Sequence, residues 1–530
     1  MIHTNGTRGP VERGLKWATT VLVFAVTACA TPGPIERALP ASGSDHTTIN
    51  SAELARDLGA FAHDSMRGRE TGTPDANRAA FFIGERLAEL GLEPVGDSLY
   101  YQRVPMVRQI VSPATRVLVT RNGVSRRIRV GVEVAPMLSL GEGQPDPRRT
   151  VDGEMIFAGY AITSKSAGRD DLSSVDLLNK VAVILHGAPP GVTGALRDSL
   201  NSDNELGLQL ARIALKQPSA IVILMTPETS KLYRQLYPSL MRDVRGQWGS
   251  VSPALAGLEI PLLLFGEARR GSPFLPAGWP ADDAPQALGS TLTASIDVRR
   301  EPFTGYNVIG RVPGTDGALR STYVAIGAHY DHIGVLPAVD GDSIANGADD
   351  DGSGSMAMLA MARVTMRQPA RRSTLFIWHA AEEKGLLGSG WFASRPTVPL
   401  DSIVAMLNAD MIGRNARDHL YVVGPHASPN RQSERLGAIV DSVNAAMAAP
   451  FTFDRSWDVL AHPEQVYQRS DHFSYAKRGV PVAFFTSGLH PQYHDVADEP
   501  GRVDYEKVRR VATLMLGVAR AIGNDPDRPR

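Results

Sequence analysis

The feature that most constrains the fold is a regular alternation that begins near residue 305. Short apolar runs rich in β-formers, Tyr323–Ala328, Thr374–Trp378, Ile403–Asn408, Leu420–Val423 and Pro481–Phe485, alternate with segments of helical periodicity at Ser353–Gln368, Ser433–Ala448 and Asp504–Asn524. Strands alternating with helices imply an α/β fold, a mainly parallel sheet covered on both faces. Such sheets bind ligands beyond the carboxyl ends of their strands. The residues that follow each run are therefore where chemistry is to be sought.

Those residues share a character. His329-Tyr330-Asp331 follows the first run, Glu382-Glu383 the second, and Asp410 the third, while Tyr493-His494-Asp495 follows the last after a short loop. Between the first two runs, Gly347-Ala348-Asp349-Asp350-Asp351-Gly352-Ser353-Gly354 leads into a helix. Each piece alone is ordinary: an aspartate run starts turns and helices, and a glutamate pair commonly lies on a solvated helix face. The run also lacks the spacing and distal Glu of an EF-hand. Brought to one sheet edge, however, so many carboxylates repel unless a cation joins them. Two histidines with three carboxylates form an N,O donor set suited to zinc. Five ligands suffice for two catalytic ions if one carboxylate bridges and water completes the shells.

The rest of the chain bounds the setting. With 530 residues, two or three domains are expected. Lys and Arg number 55 against 56 Asp and Glu, which gives no surface for a polyanion, so nucleic acid is not expected as a partner. No apolar run reaches the roughly 20 residues of a spanning helix. Arg8, Arg13 and Lys16 precede the apolar stretch Trp17–Ala28, the layout of a secretory signal, and Cys29, the only cysteine, follows it directly. A single cysteine excludes an internal disulfide. Val26-Thr27-Ala28-Cys29 resembles the bacterial lipobox. That resemblance implies a signal peptide over 1–28, acylation of Cys29 and a membrane anchor. With Thr31 in place of an acidic residue, it also implies export across the inner membrane to the outer membrane, facing the periplasm. Residues 29–48 read as a flexible tether rich in Pro, Gly, Ser and Thr. A helix is predicted over Asp75–Leu90, stopped by Gly91.

Between about 140 and 297 the texture changes. Glu154–Tyr160, Lys180–His186, Ala220–Met225 and Ile260–Phe265 read as strands and Asn204–Lys216 as a helix, with no cluster of His, Asp and Glu. This predicts a separate α/β module without chemistry of its own, inserted between flanking segments 49–139 and 298–526. The module resembles the protease-associated domain through "NKVAVILHG", "SAIVILMTP" and "IPLLLFGEA".

The flanking segments resemble the di-zinc aminopeptidase family that includes bacterial leucyl aminopeptidase and glutamate carboxypeptidase. The matching stretches are "HDSMRGRETGTP", "NVIGRVPG", "VAIGAHYDHIG", "NGADDDGSG", "FIWHAAEEKGLLGS", "LNADMIG", "YQRSDHF" and "YHDVAD", in order. The resemblance implies a three-layer zinc-peptidase fold, two zinc ions and a peptide substrate cut at its end. It implies His329 and Asp410 on one zinc, Glu383 and His494 on the other, and Asp350 bridging them. Glu382 is then the general base, Asp331 a partner of His329 or a steadying group, and Tyr467 a polarising hydroxyl. Gly352 departs from the family, where Ala is frequent. A carboxypeptidase or dipeptidase on the same scaffold, with Arg469 or Arg414 as a carboxylate contact, stays open at this point. So do a single-zinc glutaminyl cyclase and a receptor-like protein.

Overall fold

The computed structural model describes residues 48–529 apart from 139–144, 165–167, 249–258, 426–432, 461, 463 and 464. The signal-like segment, Cys29 and the tether up to residue 47 lie outside the described residues.

Two mixed sheets organise the chain. In the larger, strands run in the order 242–246, 101–111, 298–312, 373–379, 323–329, 403–409, 482–486, 419–423 and 452–454, and the pair 93–94 adds to 298–312. Its centre is parallel: 373–379, 323–329, 403–409 and 482–486 all point the same way. Every residue of these four strands is buried, because helices cover both faces. On one side Leu58, Phe61, Ile83, Met358, Val511 and Met515 belong to one apolar cluster with the sheet. On the other, Phe392, Tyr475 and Val480 pack with Ile309, Leu375 and Val482. The arrangement is a three-layer α/β fold.

The helices form where local signals say they should. Pro74–Leu90 starts with Pro at its first position and Thr73 accepting from the Asp75 amide, and it ends at Gly91 with φ 79°. Tyr505–Asn524 is capped by Asp504, whose carboxylate accepts from the Glu506 and Lys507 amides.

The second sheet runs 124–127, 116–121, 286–295, 150–157, 181–186, 220–225, 262–267 and 135–136. This corrects the boundary expected at 140, since pairing in the second sheet already begins at Arg116. The signal was present in Arg121-Asn122-Gly123-Val124, a hairpin with Asn122 and Gly123 both at positive φ. A second correction runs the other way. Arg242–Gly246, inside the expected module, pairs antiparallel with 101–111 at the edge of the larger sheet. The sheets join where strands 101–111 and 298–312 meet 116–121 and 286–295. There the amide of Ser112 and the hydroxyl of Thr115 both donate to the Asp297 carbonyl, at 2.9 and 3.0 Å.

Candidate metal centre

The central strands deliver the site. His329 is the last residue of its strand, and Asp331 follows two residues later. Glu382 and Glu383 follow strand Ser373–His379, and Asp410 follows Ile403–Ala409. Asp350 comes from the turn before helix Gly354–Arg367, and His494 from the loop after Val482–Thr486. All of them meet at the carboxyl ends of the parallel strands.

Asp350 is the centre of the arrangement. Its Oδ1 lies 3.3 Å from His329 Nε2, and its Oδ2 lies 3.1 Å from His494 Nε2. Asp410 Oδ1 is 3.5 Å from His329 Nε2, and Glu383 Oε2 is 3.0 Å from His494 Nε2. One carboxylate thus faces two half-sites, each holding one further carboxylate and one imidazole. The neighbouring aspartates are otherwise engaged. Asp349 accepts from the Gly413 amide at 2.6 Å, and Asp351 from the Gly354 amide at 2.9 Å. Asp351 nevertheless lies close enough to His329 and Asp410 to add an oxygen to that half-site.

The donor set passes a physical test for a divalent cation. His329 Nε2, Asp350 Oδ2, Asp410 Oδ1 and His494 Nε2 are buried without an aligned hydrogen-bond partner. Buried polar atoms are ordinarily satisfied, and these four point at one another. Two groups of residues can each converge on an ion: His332, Asp350, Glu383 and His494, and His329, Asp351 and Asp410. Imidazole and carboxylate are donors that zinc accepts.

Glu382 stands beside this set. Its Oε2 is 4.0 Å from His329 Nε2, and it lines the cleft while belonging to neither group. Burial, with Glu383 and Asp410 close by, holds its carboxyl well above the usual carboxylate range. Burial would raise Glu383 too, but His494 and His332 outweigh it and bring that carboxyl down to about 2. Burial would lower His494, yet Glu383 and Asp350 push it up to about 10. Adjacent glutamates are therefore driven in opposite directions by what faces them.

The supporting contacts bear on the two roles expected of Asp331, partner of His329 or steadying group. His329 Nδ1 bonds to the Asp331 backbone carbonyl at 3.1 Å, while the carboxylate sits 3.9 Å away. That carboxylate instead accepts from the Glu382 amide at 3.1 Å and from Thr71 Oγ1 at 2.9 Å. Asp331 steadies the strand end that bears Glu382. Tyr467 is not on the cleft wall. Its ring is buried against His472 and Phe473, while Val466 and Arg469 on either side of it line the cleft. The tyrosine on the wall is Tyr493, stacked on His494 at 3.8 Å.

Three groups were passed over in the sequence. His332 Nδ1 lies 2.9 Å from Glu383 Oε1 and 3.7 Å from Asp350 Oδ2, fully buried. Its signal was a second histidine three residues after His329. Arg69 is fully buried and donates to the carbonyls of Phe61, Tyr330, Asn346 and Gly347, holding together the turns on either side of the site. Asp498 accepts from the amides of Asp349 and Asp350 at 3.0 and 3.1 Å, which fixes the bridging residue's backbone. A Cβ at Gly352 would lie 2.6 Å from Leu58 Cδ1, the movable end of a side chain.

The cleft is an open space of about 470 Å³. Asp350, Glu382, Glu383, Asp410 and His494 line it together with the apolar side chains of Met411, Trp457, Val466, Phe484 and Leu489. Trp457 is braced by stacking on Tyr421 at 3.9 Å.

Comparison with known proteins agrees with this geometry. Residues 307–519 match the model of peptidase family M28. A probable leucine aminopeptidase of Trichophyton verrucosum is 29% identical over 254 residues, 46% of this chain and 65% of that protein. Leucine aminopeptidase 1 of Penicillium rubens is 32% identical over 241 residues, 43% of this chain and 58% of that protein. The chain thus spans less than two thirds of the length of either relative. In overall fold, an aminopeptidase from Aneurinibacillus sp. strain AM-1 superposes with TM-score 0.55, covering 92% of this chain and 98% of that one at 18% identity. A zinc aminopeptidase from Bacillus subtilis does so with TM-score 0.55, covering 90% and 96% at 17% identity.

Proposed function

We infer, from the match of residues 307–519 to the model of peptidase family M28, that the chain is a two-zinc exopeptidase that removes residues from the amino ends of peptides. One observation carries the reading: Asp350 presents one oxygen to His329 and the other to His494, with Glu382 beside them. His329 and Asp410 would hold one zinc, Glu383 and His494 the other, and Asp350 both. When bound, such a pair acidifies a water and polarises a carbonyl.

The protein's own groups do the rest. Glu382, raised by burial, takes a proton from the attacking water and returns it to the leaving amine. Asp331, tied to Thr71, keeps the Glu382 amide fixed so that the base does not swing out of the cleft. The apolar lining of Met411, Trp457, Val466, Phe484 and Leu489 receives an apolar terminal side chain and excludes water from it. Tyr493, stacked on His494, supplies a hydroxyl at the cleft wall in the place expected of Tyr467.

The test is a panel of leucyl peptides with free or blocked amino ends, assayed with chelated and zinc-restored protein. Cleavage of the free set alone, abolished by chelation and restored by zinc, is expected. Cleavage from the carboxyl end of blocked peptides would transfer the activity to a carboxypeptidase, with Arg469 at the cleft as the carboxylate contact.

The site of action is proposed as the cell envelope. Lipid on Cys29 and a tether to residue 48 would hold the enzyme at the outer membrane, facing the periplasm. Cys29→Ser is expected to release the protein from membranes or leave it unprocessed. Soluble wild type processed elsewhere would contradict the anchor.

A further inference from the structure

The inserted module contributes no residue to either metal-capable group among the described residues. It nevertheless reaches the loop that carries His494. Helix Ser230–Met241 of the module lies beside that loop. Lys231 Nζ donates to the Pro491 carbonyl at 2.5 Å, and Gln235 Nε2 donates to the Tyr493 carbonyl at 3.0 Å. Lys231 Nζ also stands 3.8 Å from Asp495 Oδ2. The residues on both sides of His494 are thus held from outside the peptidase sheet.

The loop needs such support. It has no strand or helix of its own between Thr486 and Pro500. His494 sits in the left-handed region, at φ 51°, which a residue with a side chain adopts only when its surroundings impose it. Its imidazole must still reach Asp350 and Glu383 within about 3 Å. Loss of the two donors would let the peptide units of Pro491 and Tyr493 turn, and the imidazole between them would lose its aim.

A second contact runs from the other end of that helix toward the second ligand of the same half-site. Arg242, directly after the helix, pairs with Glu70 at 2.9 Å and donates to the Val335 carbonyl at 3.3 Å. Glu70 in turn lies 3.5 Å from Lys384, the residue after Glu383. The His494 loop is therefore backed directly by the helix, and Lys384, the neighbour of Glu383, is reached through Glu70 from Arg242, the first residue after that helix. Among the described residues, His329 and Asp410 stand instead at the ends of strands buried throughout in the larger sheet.

We propose that Lys231 and Gln235 are positioning residues through which the inserted module sets the zinc affinity of the His494–Glu383 half-site. The proposal rests on the reading of His494 as a metal ligand.

The test measures zinc affinity at each half-site by chelator competition in the full chain, together with thermal melting. The variants are Lys231→Ala/Gln235→Ala, Gln235→Glu, Lys231→Arg and His494→Ala. Outer partners of metal ligands typically change affinity about 10–100-fold. The double variant is expected to weaken one site by about that factor, leave the other unchanged and melt like wild type. Gln235→Glu, which removes the amide donor at equal size, should do the same in part, and Lys231→Arg should retain affinity. Excess zinc should restore turnover in the double variant. Unaltered affinity at both sites in the double variant, alongside a lost site in His494→Ala, would overturn the positioning role alone. Equal weakening of both sites with a lowered melting temperature would overturn it too, as a general loss of structure. If His494→Ala kept both ions, the metal-ligand reading would fail and this proposal with it.

Discussion

The two sheets are built alike and equipped differently. In the second, Val181–His186, Ala220–Met225 and Leu262–Glu267 are parallel neighbours, the first two buried throughout, as are the central strands of the larger sheet. Each sheet even has a parallel strand that ends in a buried histidine. His329 meets Asp350, Asp410 and Glu382, whereas His186 meets Gln209 at 2.8 Å, and Gln209 also donates to the Tyr160 carbonyl. A histidine bonded to a side-chain amide belongs to a core; one facing several carboxylates belongs to a site. Strand geometry places the side chain, and the charge of what it faces decides its use.

The sharpest way to break this comparison lies within one dipeptide. Glu382→Ala is expected to keep both zinc ions while kcat falls by about 10²–10⁴-fold, the usual contribution of a positioned base. Glu383→Ala is expected to lose zinc from one half-site and turnover with it. Metal analysis and kinetics on the pair would reverse the assignment if Glu382→Ala lost the metal and Glu383→Ala kept it.

His329 and His186 give the next contrast. His329→Ala should lose zinc and activity. His186→Ala should retain both and show only a lower melting temperature, as a buried partner of Gln209 does when removed. A fall in zinc content for His186→Ala would mean that the second sheet has chemistry after all. His332→Ala should weaken zinc binding by about 10–100-fold, since its ring backs Glu383 at 2.9 Å. Chelator competition measures this, and wild-type affinity would leave His332 a packing residue.

What the sequence made legible follows from the same contrast. Fully buried parallel strands announce themselves as apolar runs, so Ala220–Met225 is found where read and the central strands within a residue or two at each end. The long strands Tyr101–Val111 and Val298–Val312 are half-exposed, charged, and interrupted by Pro105, Pro302 and Gly305, so no run marks them. Helix Ser230–Met241 carries Pro238 inside it and is obscured for that reason. The residues after the strands were readable because charge has no other reason to gather there. His332, Arg69 and Asp498 were not, because their roles depend on contacts across the fold, such as Arg69 with the carbonyls of Asn346 and Gly347.

The smallest expected effect concerns a histidine in which burial outweighs the neighbouring Asp471. His472 is stacked on Phe484 at 4.6 Å, and burial pushes its imidazole down to about 3. Unfolded, it takes up a proton below about pH 6.5. Its folded form stays neutral until about pH 3. Acid therefore favours unfolding progressively between those values, and the penalty is absent above them. His472→Phe keeps the stacking and should flatten this part of the melting-temperature profile. An unchanged slope would show that His472 is protonated in the folded protein.

The central claim is that Asp350 joins two half-sites into one metal centre. Counting zinc ions per chain by native mass spectrometry, in wild type and in Asp350→Asn, tests it most directly. The geometry predicts two ions in the active wild type and weakened retention of both in the variant, because one carboxylate serves His329 and His494 alike. A wild type fully active with one ion, or an Asp350→Asn protein that holds two as tightly as wild type, would contradict it.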